Sequence, residues 1–429
     1  MATGTVSRAG SSLVAALAAR GIHYGWLVVG VTFLALLVGA GIRNIPGIVI
    51  KPLEAEFGWE RSAISFAVAI SLLTYGLAGP LSGRLLDRIG PRLIMLGGLL
   101  ITIVGSAAML MMQSLLELNL WWGLVVGLGS GTLAMVMAAT VANRWFVARR
   151  GLVIGILGAG ASAGQFIFVP ILMSLTLTFG WRAAIAFGVG VLTLVVLPLV
   201  VLVMRDQPAE VGLEPYGAED APPTTGPVGG LTTPLPDALR TGDFWLLAGS
   251  FYICGFTSNG LIGTHLIPHA VEHGFTEQVA AGALALLGLM NVVGTTISGY
   301  LTDRFNPRRL LAVYYGFRAV SLVGLPFIQD NLGLTLFAIL FGLDYIATVP
   351  PTVALTADRF GRRSVGTIFG WIFCAHQVGA AMASYGGGLA YDLLGSYNGA
   401  FLAAGLLGFV AAGLSLKIFT PARVVPVPA

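Results

Sequence analysis

Apolar residues run through this chain in stretches of about twenty, each interrupted by a few polar, glycine or proline positions. They fall at about 24–48, 63–85, 92–112, 118–142, 152–175 and 183–204, and resume at about 243–268, 279–301, 310–328, 332–357, 365–389 and 399–419. A helix needs ~20 such residues to cross ~30 Å of hydrocarbon, where every backbone N–H must find its acceptor within its own segment. The runs are too long and too continuously apolar for barrel strands, which alternate. The pattern predicts an all-α membrane protein with twelve transmembrane helices.

Between 205 and 242 the pattern lapses. Seven prolines and six acids share these 38 residues with little apolar content, which marks an aqueous linker. The organisation expected is an N-terminal six-helix bundle over 1–204, a linker over 205–242 and a C-terminal six-helix bundle over 243–429. A short amphipathic piece is expected at about 235–240.

The halves repeat one another. GRLLDRIGPR at 83–92 recurs as GYLTDRFNPR at 299–308, so that Gly83 and Gly299, Asp87 and Asp303, Arg88 and Arg304, and Arg92 and Arg308 each stand 216 residues apart. Arg144 and Arg359 repeat at 215, so the register holds along the halves. The repeat predicts two pseudo-symmetric six-helix bundles related by an axis along the membrane normal, a plan known from transporters that place a site at the interface of the halves.

Composition excludes other classes. Apolar residues make up 56% and charged residues 10% of the 429, against roughly 25% charged in a soluble domain. The mean hydropathy is +0.88. The net charge of +4, with no basic arm interleaved with aromatics, gives no footing for a nucleic acid. Cys254 and Cys374 both lie in apolar runs and form neither a disulfide framework nor a metal cluster. His265, His269 and His273 lie near a helix end with no acid to complete a metal site. The glycines of 127–131 lie inside a span and make no phosphate loop. No cofactor and no enzymatic nucleophile–base pair is expected. Of the 23 lysines and arginines, 18 fall in one alternate set of loops, which puts both termini and the linker on the cytoplasmic side of a cell (inner) membrane.

GxxxDRxGxR at 83–92 resembles the major facilitator signature between helices 2 and 3, and the match is complete. The resemblance covers nearly the whole chain. It implies that Gly83, Asp87, Arg88, Gly90 and Arg92 form a gate that holds one face shut and reforms in every transport cycle. Gly299, Asp303, Arg304 and Arg308 form its second copy, where Asn306 replaces a glycine and implies a looser gate. Further motifs resemble the monocarboxylate and oxalate–formate branch: Tyr24-Gly25-Trp26, Glu56-Phe57-Gly58-Trp59, Arg149-Arg150-Gly151, Gly180-Trp181-Arg182, Tyr391-Asp392 and Gly395-Ser396-Tyr397. Carriers of that branch typically place an arginine in helix 8 against the substrate carboxylate. Thr295 stands at that position here.

An ionisable group at mid-membrane costs at least roughly 2.5–3.5 kcal/mol, so each one needs a reason. At 1.5 Å per residue, Arg318 lies ~13 Å and Asp344 and His376 ~18 Å from their helix starts. Asp344 and His376 are candidates for solute binding and, with Arg318, for proton coupling. A structural Asp344–Arg318 pair is the alternative. Arg43, followed by Asn44, lies in helix 1 where some monocarboxylate carriers have a basic residue, and is the candidate anion partner. Its alternative is an arginine reaching the outer headgroups. Gln165 and Asn291 are candidates for hydrogen bonds to a solute or between helices.

The expectation is a monomeric secondary transporter of a small organic anion, a carboxylate, working by alternating access with a proton as co-substrate. An anion exchanger, a carrier of a neutral or cationic molecule, and a transporter-like membrane sensor are the alternatives.

Overall fold

The computed structural model describes residues 14–133, 135–218, 233–361 and 364–418. Among them are twelve helices long and apolar enough to cross a membrane, and no strand. In chain order they are α1 (Tyr24–Phe57), α2 (Arg61–Ile89), α3 (Pro91–Met109), α4 (Leu115–Trp145), α5 (Arg150–Phe179), α6 (Trp181–Val203), α7 (Gly242–Glu272), α8 (Glu277–Arg304), α9 (Pro307–Phe327), α10 (Asn331–Phe360), α11 (Val365–Leu394) and α12 (Asn398–Lys417). The expected piece before α7 is a single helical turn, Leu235–Leu239.

Several helices extend beyond the apolar runs that reveal them, because a helix does not stop where the hydrocarbon does. α1 is the plainest case. Pro46 lies inside its apolar run and lacks a backbone N–H, so the ladder is interrupted there and not ended. The helix breaks between Arg43 and Ile45, and the Asn44 side chain donates to Ala40 O at 2.8 Å across the break. The chain then continues helical to Phe57, where Gly58 at φ 66° closes it. α10 is broken likewise between Asp344 and Val349, and α7 widens into a π-helical stretch at Phe256–Ile262.

Lipid tails are as apolar as leucine, so helices associate in a bilayer through close backbone packing more than through burial. A Cβ at Gly164 would stand 2.1 Å from Leu37 O, pressing α5 on α1. One at Gly294 would stand 1.8 Å from Leu343 O, pressing α8 on α10, and one at Gly255 1.8 Å from His376 O, pressing α7 on α11.

First-half helices meet second-half helices along two seams, α2 against α11 and α5 against α8. A third contact, α1 against α7, lies at the end opposite the linker, where Gly47 packs on the Gly263 carbonyl. That end, with the turns at 58–60 and 395–397, is called the far end below. The linker end carries the turns at 90, 146–149, 305–306 and 361.

Candidate functional site

The break in α1 sets Arg43 at the seam between the halves. Its guanidinium stands 4.5 Å from the centre of the Tyr75 ring on α2, and Tyr75 meets the edge of Phe373 on α11 at 6.2 Å. A cation over an aromatic face is held by the ring quadrupole without any acid. Among the described residues no carboxylate pairs with Arg43.

Gln165 and Asn291 bind the second seam. Gln165 Nε2 donates to Leu284 O at 3.2 Å, and Asn291 Nδ2 to Ser162 Oγ at 2.8 Å, both joining α5 to α8. Asn291 Oδ1 also accepts from Ile346 N and Thr295 Oγ1, each at 3.1 Å. Thr295 is thus part of a neutral joint that secures the break in α10.

Arg318 and Asp344 come together deep in the second half. Arg318 Nε donates to Asp344 Oδ2 at 2.6 Å, and Nη2 to the carbonyls of Asp344 and Tyr345 at 2.7 and 3.0 Å. Its Nη1 reaches Cys254 Sγ at 3.0 Å, which in turn contacts Thr348 Oγ1 at 3.1 Å. The planar fork thereby ties α9 to α10 and α7 with every donor-bearing nitrogen engaged. His376 packs between aromatic rings. Its ring lies 5.7 Å from Phe373 at an interplanar angle of 8°, and 4.7 Å from Phe251. Asp344 Oδ1, His376 Nδ1 and both amide atoms of Gln377 are buried without a partner.

At the linker end the two repeats are finished differently. Gly90, at φ 87°, leaves room for the Asp206 carboxylate, whose Oδ1 accepts from Arg92 N at 2.8 Å and caps α3. The cap on α3 comes from this linker residue, which the sequence pattern did not single out. In the second half Asn306 accepts from Arg308 N at 3.1 Å and so caps α9 by itself. The substitution of Asn for Gly therefore has a local reason independent of gating. Arg88, Asp303 and Arg304 are exposed, Arg304 lying 4.1 Å from the Tyr300 ring. Among the described residues no atom outside its own helix's backbone lies within 4 Å of a Cβ at Gly299, so no other helix packs closely there. The side chain of Asp87 lies outside the described ones. Arg144 donates to Leu86 O at 2.8 Å, and Arg359 pairs with Asp243.

The far end holds a charge cluster that sequence reasoning missed. Arg61, 3% exposed, pairs with Glu54 through Nε and through Nη2 at 2.6 Å, and reaches Glu272 of α7 at 3.4 Å. It lies 3.7 Å from the Tyr391 ring and donates to Tyr397 Oη at 3.1 Å. Burial pushes the Tyr397 hydroxyl above the usual phenol range, against the opposing pull of Arg61, so it stays protonated. Lys51 completes the cluster on Glu272 at 2.8 Å, and Ser62 N donates to Asp392 Oδ2 at 2.8 Å. The available signal was adjacent: Arg61 follows Glu56-Phe57-Gly58-Trp59 by two residues, and its partners are the Tyr391 and Tyr397 of the helix 11 motifs.

Twelve membrane-length helices carrying one repeated motif, joined along two seams and sealed together at one end, define a multi-pass membrane transporter. Residues 31–384 match the model of the Major Facilitator Superfamily, and the chain belongs to that family. It is 28% identical over 428 residues to monocarboxylate transporter 12-B of Danio rerio, covering 93% of this chain and 87% of that one. It is 26% identical over 407 residues to the oxalate:formate antiporter of Oxalobacter formigenes, covering 92% and 91%. The crystal structure of a D-xylose-proton symporter superimposes with a TM-score of 0.73 at 16% identity, covering 93% of this chain and 98% of that one, a likeness of fold. The protein is a transporter and not an enzyme.

Proposed function

We propose that this protein is a secondary transporter of a small organic anion, a carboxylate, which it moves by alternating access together with a proton. The observation that carries this reading is Arg43. It is half-buried at the seam of the halves, is held by an aromatic ring, and has no carboxylate partner among the described residues. The other two charges deep in the spans, Arg318 and Asp344, satisfy one another. Among the described residues an anion entering the seam therefore finds Arg43 as its cation. The named activities of the monocarboxylate and oxalate:formate relatives support the same class of solute.

Proton coupling falls to Asp344, with Arg318 as its counter-ion, and to His376. Asp344 Oδ1 and His376 Nδ1 each lack a partner, leaving a site for a proton. The state described here is closed at the far end. In this reading the linker end and both termini are cytoplasmic in a bacterial inner membrane, the halves 1–204 and 243–429 rock about the seams within one chain, and the repeats at 83–92 and 299–308 gate the linker end.

The test is uptake of radiolabelled carboxylates by the full chain in liposomes. Arg43→Gln should lower carboxylate uptake at least tenfold, because removing the cation leaves the anion desolvated without a partner. Undiminished carboxylate uptake by Arg43→Gln would exclude this reading.

A further inference from the structure

One buried group at the seam is left unexplained by an anion and a proton alone. Gln377 is 1% exposed, yet its Oε1 and both N–H bonds of Nε2 have no partner. A carboxamide offers two donors and two acceptor lone pairs, and native proteins rarely bury all of them unmet. The place is specific. Gln377 lies one turn beyond Phe373 on the same face of α11, and its Cβ and Cγ would stand 2.6 and 2.8 Å from a Cβ at Gly76. Gly76 adjoins Tyr75, whose ring contacts Phe373 and carries the Arg43 guanidinium. The glycine is what allows a side chain as long as glutamine to fit between α2 and α11. The nearby carbonyl of Gly76 accepts from Cys374 Sγ at 3.3 Å and not from the amide.

We propose that the Gln377 amide is a second recognition group beside Arg43. The solute is then a bifunctional anion, a short carboxylate bearing a hydroxyl, carbonyl or amide group within reach of its carboxylate, and not a simple alkyl acid. The proposal rests on the reading of Arg43 as the anion partner. A neutral amide suits this role because it can donate or accept and adds no charge to a seam whose net charge Arg43 already sets. An alkyl acid in the same place would leave the amide unpaired, which is how a polar pocket rejects an analogue lacking one oxygen.

The experiment uses the purified full chain and a panel matched in size: butyrate, 2-hydroxybutyrate, 3-hydroxybutyrate and 4-hydroxybutyrate, with binding measured by calorimetry. At least one hydroxybutyrate should bind about tenfold or more tightly than butyrate. Gln377→Leu should reduce that isomer to the level of butyrate while butyrate itself binds unchanged, which also reports that the variant is folded. Gln377→Met, an unbranched replacement, should behave alike. Arg43→Gln should weaken all four ligands together, so loss of the Arg43 reading shows as four unchanged affinities in that variant. The proposal is overturned if butyrate binds as well as every hydroxybutyrate in the wild type. It is overturned equally if Gln377→Leu keeps the preference, since the amide would then serve the helix seam in another state of the cycle. Loss of butyrate binding in both Gln377 variants would make the residue a packing element and overturn it as well.

Discussion

Arg318 is fully buried with five N–H bonds to place, and three helices are shaped around that demand. The carboxylate of Asp344 takes one bond, and the carbonyls at the break in α10 take two more. Removing one member of such a pair strands the other, which costs about 3–5 kcal/mol, whereas exchanging both for apolar residues of similar volume is often neutral. Asp344→Asn should therefore lower the thermal unfolding midpoint sharply in detergent, and Arg318→Met combined with Asp344→Leu should recover most of the loss. A double variant no more stable than Asp344→Asn would show that the pair does not act as a unit. At this scale the sequence reveals only depth. Counting residues from the helix starts puts Arg318 and Asp344 near mid-span, but whether they face each other or the seam depends on helix rotation, which one sequence does not specify. Gln377 was illegible for the same reason. Beside His376 it is one more polar residue in a span, and only the absence of partners in three dimensions distinguishes it.

The twelve elements were legible because lipid enforces them: with no water to serve the backbone, an apolar run of this length has one stable form. Their irregularities were less so. The proline that breaks α1 sits inside a run read as one span, and the caps come from residues outside the runs altogether. Asp206 caps α3 from the linker, while Asn306 caps α9 from within the repeat. Replacing a side-chain cap by alanine typically costs ~1 kcal/mol. Asp206→Ala and Asn306→Ala should each lower stability by about this amount, measured by thermal unfolding, and their effects should add because the sites lie in different halves. A silent Asp206→Ala would mean that the 2.8 Å contact to Arg92 N carries no weight.

For the molecule as a whole, the motifs that betray the family turn out to be joints. Glu56 receives Trp181 Nε1 and Arg182 Nη1, each at 2.6 Å, so two of the quoted motifs meet. Tyr24 Oη donates to Val203 O at 2.6 Å, binding the start of α1 to the end of α6. Tyr391, Asp392 and Tyr397 close on Arg61 and Ser62. Residues fixed by such contacts report how helices are held and nothing about what passes between them. That is why the fold was plain from the sequence while the solute was not. Arg43 has a consequence for energetics that contacts alone do not express. Because a ring and not an acid holds it, in the proposed cycle the empty carrier reorients with the positive charge of Arg43 at the seam, and a carrier loaded with a monovalent anion alone would be neutral there. A potential of 100 mV acts on one charge crossing the full bilayer by about 2.3 kcal/mol, so it would bias one stroke and not the other. A proton taken up with the anion restores the charge, both strokes then feel the same field, and its effects cancel over the cycle. The accumulation that a monovalent carboxylate finally reaches in liposomes should accordingly be indifferent to an imposed potassium diffusion potential. A final accumulation that follows the potential would mean that one proton does not accompany each anion, and that the voltage across the membrane is itself a driving force.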